Sequence, residues 1–119
     1  MSILDPTQLT LMRAIFGATL RNTVLANNIA NADTPGFQPS DVNFHAALSD
    51  ALGEGPEAPA DIRFAPEQLH TGAVRADGNG VDSEAEAAKL AENGLELEAL
   101  EQVASSRMAI MRTAMGMNG

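Results

Sequence analysis

The 119-residue sequence has no cysteine, no tryptophan and no tyrosine, and only four phenylalanines. Without cysteine there are no disulfides, no thiolate metal sites and no cysteine nucleophile, and either an oxidising or a reducing compartment is tolerated. With so few rings a large, well-packed globular interior is hard to build, although 45% of the residues are apolar. Much of that fraction is alanine, which points to thin helical packing with close backbone approach. Basic residues are also scarce: seven, spread from Arg13 to Arg112, against 16 acidic ones, for a net charge of −9 and a pI near 4.4. A phosphate-binding surface needs clustered Lys and Arg, so the composition argues against nucleic acid as a partner. Long apolar runs are missing too. Arg13 and Arg21 interrupt the first apolar stretch, so no segment reaches the roughly 18 to 20 residues of a direct membrane span. The opening MSILDPTQLT places Asp5 and Pro6 where a secretory signal needs a basic start and an apolar centre. Any export is therefore expected to proceed without a cleaved signal peptide.

What is present divides into three parts. The spacing predicts an N-terminal helix over 6–32, with Asp5 as a cap and Pro6 in the first turn. Leu4, Leu11, Ile15, Ala18, Leu25 and Ile29 share one face, broadened by Leu9, Met12, Phe16 and Leu20. Thr34 precedes Pro35 and is pushed out of the α region. TPGF then fits a type II turn, with Gly36 supplying the positive φ. The middle part, 33–80, is a turn and Pro/Gly-rich loop holding Pro35, Pro39, Pro56, Pro59 and Pro66. Its GEGPEAPAD stretch is acidic, small and too poor in apolar residues to order itself. DVNFHAAL and DIRFA read equally as short strands or single helical turns. After the turn signal ADGNG, a second helix is predicted over 82–115. Ser83 and Glu86 make a capping-box pattern, and Asp82, Glu84 and Glu86 suit the positive end of the helix dipole. Leu90, Leu97, Leu100, Ala104, Met108, Met111 and Met115 recur at helical spacing, with Arg107 and Arg112 near the far end. Gly94 weakens this helix by on the order of 1 kcal/mol unless it permits a close crossing with a neighbour.

Helices of these lengths measure roughly 40 and 50 Å. The expected fold is therefore mainly α, a single domain over 1–119. Its long terminal helices pair antiparallel as a coiled-coil-like hairpin, and its middle is irregular and partly disordered. A lone pair buries one stripe per helix, and the apolar positions here exceed one stripe. Other copies or other chains are the natural cover, which makes this an assembly protein.

The run LANNIANADTPGF resembles the N-terminal motif of bacterial flagellar axial proteins, the rod, hook and hook-associated subunits. The fuller run RNTVLANNIANADTPGFQPSDVNF, residues 21–44, resembles the proximal rod proteins of the basal body, the FlgB family, in particular. The aspartate before TPG and the later DV.F of that family are matched by Asp33 and by Asp41, Val42 and Phe44. DGNGVDSEAEAAKLAEN, residues 77–93, is similar to the start of that family's last helix. The resemblance implies a structural rod subunit exported unfolded through the flagellar type III apparatus. It further implies polymerisation in the periplasm into the proximal rod. The implied partners are other rod subunits in a helical array, basal-body ring proteins and the export gate. No catalytic residue, metal or cofactor is implied.

The expected interface set is Asn27, Asn28, Ile29, Asn31, Asp33, Thr34, Pro35, Gly36 and Phe37, together with Leu90, Leu97 and Leu100. Asparagine amides offer two donors and an acceptor each, so Asn27, Asn28 and Asn31 either bond to adjoining subunits or simply loosen and stop the helix. Pro35 and Gly36 set the direction in which the chain leaves, aiming Phe37 at a neighbouring surface. His45 and His70 lack second ligands at metal-binding spacing. Ser105 of the SSR run has no base nearby in sequence and no nucleophile turn around it. DGNG fits neither a phosphate nor a calcium loop. The glutamates of ENGLELEALE read as a solvated face, or as partners for Arg13 and Arg21 of a neighbour, worth roughly 0 to 1 kcal/mol per exposed pair. The methionine stripe suits ordinary packing or several unlike partners. A soluble helical-hairpin adaptor or export chaperone is the alternative, and it leaves the NNIANADTPGF run without a role.

Overall fold

The computed structural model describes residues 5–53, 62–69 and 74–116. Leu4, Pro56, Pro59, His70 and most of the GEGPEAPAD stretch lie outside the described residues. In chain order the elements are α1 (Pro6–Ala30), β1 (Ser40–Asp41), α2 (Phe44–Gly53), β2 (Glu67–Gln68) and α3 (Ser83–Ala114). Asp5 caps α1 by accepting a 2.8 Å bond from the Gln8 N–H, with Pro6 in the first turn.

α1 stops at Ala30, two residues short of the expected end. The cause is Asn31, whose Nδ2 donates to the Asn27 carbonyl at 2.8 Å and whose Oδ1 accepts from the Thr34 hydroxyl at 3.1 Å. The side chain closes the last turn and holds Thr34, four residues past Ala30, so the helical ladder ends there. α3 is one residue shorter at each end than the expected 82–115, and its cap differs from the expected one. Asp82 accepts from the N–H groups of Glu84 and Ala85, while Glu86 turns inward and is buried. Ser83 and Glu86 therefore do not form the anticipated reciprocal box.

The described residues of the middle part are irregular apart from α2 and the two short strands. Asn43 accepts from the Ala46 N–H through its side chain and from the Ala47 N–H through its carbonyl, and α2 starts directly after it. β1 and β2 form a two-residue antiparallel ladder, Ser40 opposite Gln68 and Asp41 opposite Glu67.

α1 and α3 pack antiparallel, as expected, and three buried or half-buried polar ties pin their register. Arg107 donates to the Asp5 carboxylate at 3.1 and 3.2 Å, Asn93 Nδ2 to the Ala18 carbonyl at 2.8 Å, and Asn28 Nδ2 to Glu86 Oε2 at 2.8 Å. The apolar core is small. Ala18, Val42 and Phe44 are buried together, with Leu20, Val24, Leu48, Phe64, Leu97 and Leu100 around them. Gly17 makes the approach possible: a β-carbon there would lie 2.8 Å from Phe44 Cβ and 2.9 Å from the Phe64 ring. The buried stripe of α1 is thus Gln8, Ala14, Gly17, Ala18, Leu25 and Asn28: Ala18 and Leu25 of the expected face, joined by small and amide-bearing residues, with Leu11, Ile15 and Ile29 half-buried. Met12 and Phe16, assigned to the apolar face, are left exposed. The result is a thin plate, 62 × 31 × 15 Å between Cα extremes.

Candidate assembly surface

The end of α1 and the start of α3 are locked together by amides. Asn28, 1% exposed, donates from Nδ2 to both the Ser40 carbonyl at 2.7 Å and Glu86, and its Oδ1 accepts from the Ser40 N–H at 3.1 Å. Its hydrogen-bonding capacity is therefore used within the chain. Glu86, otherwise a buried carboxylate, is also 3.4 Å from Lys89 Nζ.

The TPGF turn forms as read: Gly36 has φ +76°, and the Phe37 N–H donates to the Thr34 carbonyl. It is clamped onto the DGNG turn. Gly36 N–H donates to the Asp77 carbonyl and Gly80 N–H to the Phe37 carbonyl, both at 2.9 Å. Gln38 Nε2 donates to the Gly78 carbonyl, and the Arg75 guanidinium reaches the Ala32 carbonyl. Gly78, at φ +82°, comes so close that a β-carbon would sit 3.3 Å from Gly36 Cα. The centre of the clamp is Asn79, fully buried, donating to the carbonyls of Asn31 and Thr34 and accepting from the Val81 N–H. Sequence reasoning passed over Asn79 because DGNG reads as a turn signal; its partners lie more than forty residues away.

The interface set therefore divides. Asn27, Asp33, Thr34, Pro35 and Gly36 are exposed, and Ile29, Asn31 and Phe37 are half-buried, all presented on a braced knuckle. Asn28 is enclosed. Leu97 and Leu100 pack against the core of their own chain, and Leu90, seven residues before Leu97, is half-buried. Larger apolar side chains are uncovered elsewhere: Met12 and Phe16 on α1, Leu95, Val103 and Ile110 on α3.

Charge pairs tie the middle part to the helices. Arg21 donates from Nε and a terminal nitrogen to the two oxygens of Asp41 at 2.8 and 3.2 Å, and Lys89 Nζ lies 4.0 Å from the same carboxylate. The bond to Asp41 raises the Arg21 pKa above its ordinary value, against the cost of partial burial. Burial pushes the Asp41 carboxyl up, but the Arg21 bond, the Val42 N–H and the charges of Arg21 and Lys89 outweigh it and hold the group below the usual carboxylate range. Arg21 is thus spent inside its own chain. His45, exposed on α2, is stacked on Phe44 and paired with Glu96 of α3. Ser105 is exposed on α3. Among the described residues no group of three His, Asp or Glu is placed to hold a metal ion, and no helix is long and apolar enough to cross a membrane.

The family model described as flagella basal body rod protein matches residues 18–38, the end of α1 and the TPGF turn. Similar proteins extend the match over most of the chain. The flagellar basal body rod protein FlgB of Aeromonas hydrophila is 35% identical over 105 residues, covering 75% of this chain and 76% of that one. FlgB of Escherichia coli K12 is 32% identical over 96 residues, 66% of this chain and 70% of the relative. FlgB of Proteus mirabilis HI4320 is 31% identical over 119 aligned residues, 77% of this chain and 83% of the relative.

Proposed function

The chain belongs to the FlgB family of flagellar basal body rod proteins and is a structural subunit of that rod; from this premise we propose that it builds the proximal rod, polymerising through α1 and α3. In this reading it joins the membrane ring and export gate to the remaining rod subunits. It resides in the periplasmic part of the basal body and is exported, without a cleaved signal peptide, by the flagellar type III apparatus. Its role is structural and not catalytic.

The observation that carries the reading is the apolar surface left open on both long helices, beside a knuckle held rigid from within. Among the described residues Met12, Leu95, Val103 and Ile110 are left exposed, and Phe16 stays more than half exposed although its ring lies beside that of Phe64. Other chains are the natural cover. The small core and the absence of disulfides also suit a chain that must be threaded unfolded before it assembles. A heterologous contact that does not close into a ring generates a helical array, the geometry of a shaft.

The test is an antibody to this chain, used on purified hook–basal-body particles and on soluble fractions from its own cells. A band in the particles, with motility lost on deletion, is the expected result. A protein confined to the cytosol, with particles intact without it, would overturn the proposal in favour of an adaptor.

A further inference from the structure

α1 carries two arginines and no acidic residue between Pro6 and Ala30. Its outward face, followed at helical spacing, is Met12, Phe16, Thr19, Thr23, Ala26 and Ala30, all uncharged and all exposed. α3 carries six glutamates against three basic residues. Its outward face bears Leu95, 69% exposed, at the centre, with Val103 and Ile110 further along, and Glu92 and Glu98 on either side. Two α3 faces brought together would oppose these glutamates. An acid-free helix brought against α3 meets no such repulsion.

The internal register adds a geometric condition. Asn93 bonds to the Ala18 carbonyl across the antiparallel pair, so Phe16, two residues before Ala18, lies level with Leu95, two residues after Asn93. Both are more than half exposed, Phe16 with its ring 6.2 Å from that of Phe64 on one side. A second copy displaced sideways without turning over sets the α1 face of one hairpin against the α3 face of the next. That step continues the α1–α3 alternation already present inside each chain, with Phe16 and Leu95 still level. We infer that the partner of the α3 outward face is the α1 outward face of a second copy of this chain, a heterologous contact centred on Leu95 and Phe16. This rests on the rod reading above and names which faces meet. Because the contact uses a different patch on each copy, it leaves one α1 face and one α3 face open at the ends for further subunits.

The chain has no cysteine, so introduced thiols report unambiguously. Phe16→Cys and Leu95→Cys chains are co-expressed in the native cells, basal bodies are purified, and disulfide formation is induced with a mild oxidant. A crosslinked dimer containing one chain of each kind, absent when either variant is expressed alone, is expected. Met12→Cys with Ala99→Cys, also level by the same register, serves as the second pair should the first incorporate poorly. Dimers from Phe16→Cys alone would mean two α1 faces meet, and the inference fails. Particles that contain the variants but yield no mixed dimer with either pair also overturn it, while leaving the rod reading intact. Wild-type chain absent from the particles would instead defeat the rod reading itself.

Discussion

Asn28 and Asn27 are adjacent in sequence, yet one is enclosed and the other faces solvent. Asn28→Ala removes three hydrogen bonds and strips Glu86 of its best neutral donor, leaving a buried carboxylate with only Lys89 beside it. A loss of about 2–3 kcal/mol is expected in urea unfolding. Asn27→Ala should cost less than about 0.5 kcal/mol, as surface changes do. Asn31→Ala removes an exposed brace on the knuckle and should cost about 1 kcal/mol or less, while incorporation into basal bodies and motility fall more sharply. Normal motility in that variant would remove Asn31 from the interface. Asp41 gives a pH signature. Its carboxyl is held below the usual range in the folded chain, so its contribution is complete above the unfolded value near 3.9 and is lost as pH falls through the folded one. Lowering the pH from 5 to 3 should therefore destabilise the wild type more than Asp41→Asn, read as the shift in urea midpoint.

The glycines of the two long helices act in opposite senses. Gly17 sits under Phe44 and Phe64, where a β-carbon would come within 2.9 Å of both. Gly17→Ala should destabilise the chain by about 1–3 kcal/mol despite the better helix propensity of alanine, because α2 and the 62–66 segment must lift away. Gly94 has nothing within 4 Å of such a carbon among the described residues, so no close crossing there explains it. Gly94→Ala should stabilise the isolated chain by up to about 1 kcal/mol. Thermal unfolding of the two variants side by side checks both signs. The antiparallel pair itself is set by polar ties at intervals, not by a continuous leucine seam. Such ties specify register at some cost in stability, and the buried side-chain oxygen of Asn93, Oδ1, has no partner among the described residues.

At the scale of the whole molecule, α2 packs on α1, yet both long helices keep faces that carry exposed apolar side chains among the described residues. Stability of the isolated chain is then low, and helix content should rise on assembly, because burial of those faces supplies what local propensity does not. Circular dichroism of the purified chain should show less helix than the structure contains, rising with concentration. Full helicity at low micromolar concentration, unchanged on dilution, would argue for a self-sufficient hairpin instead.

Several features follow from local chemistry and were legible in the residues alone. They are the two long helices, the Asp5 and Pro6 start of α1, the type II turn at TPGF and the rod-family motif. Each depends on residues within four or five positions of one another, where capping, proline and glycine rules act. Of the stripe spaced from Leu90 to Met115, Met111 is buried, Leu97 and Leu100 pack against the core, Leu90, Ala104 and Met108 are half-buried, and Met115 is exposed. How far the buried face of α1 extends was decided otherwise: Gly17 admits Phe44 and Phe64, so Gln8, Ala14, Gly17 and Asn28 join the expected Ala18 and Leu25 inside, while Met12 and Phe16 stay exposed. The same holds for Asn28, Glu86 and Asn79, whose partners lie between 12 and 58 residues away. No periodicity encodes those pairs. They exist because the antiparallel register brings the end of α1 to the start of α3, and a buried amide or carboxylate must find a partner there or be destabilising.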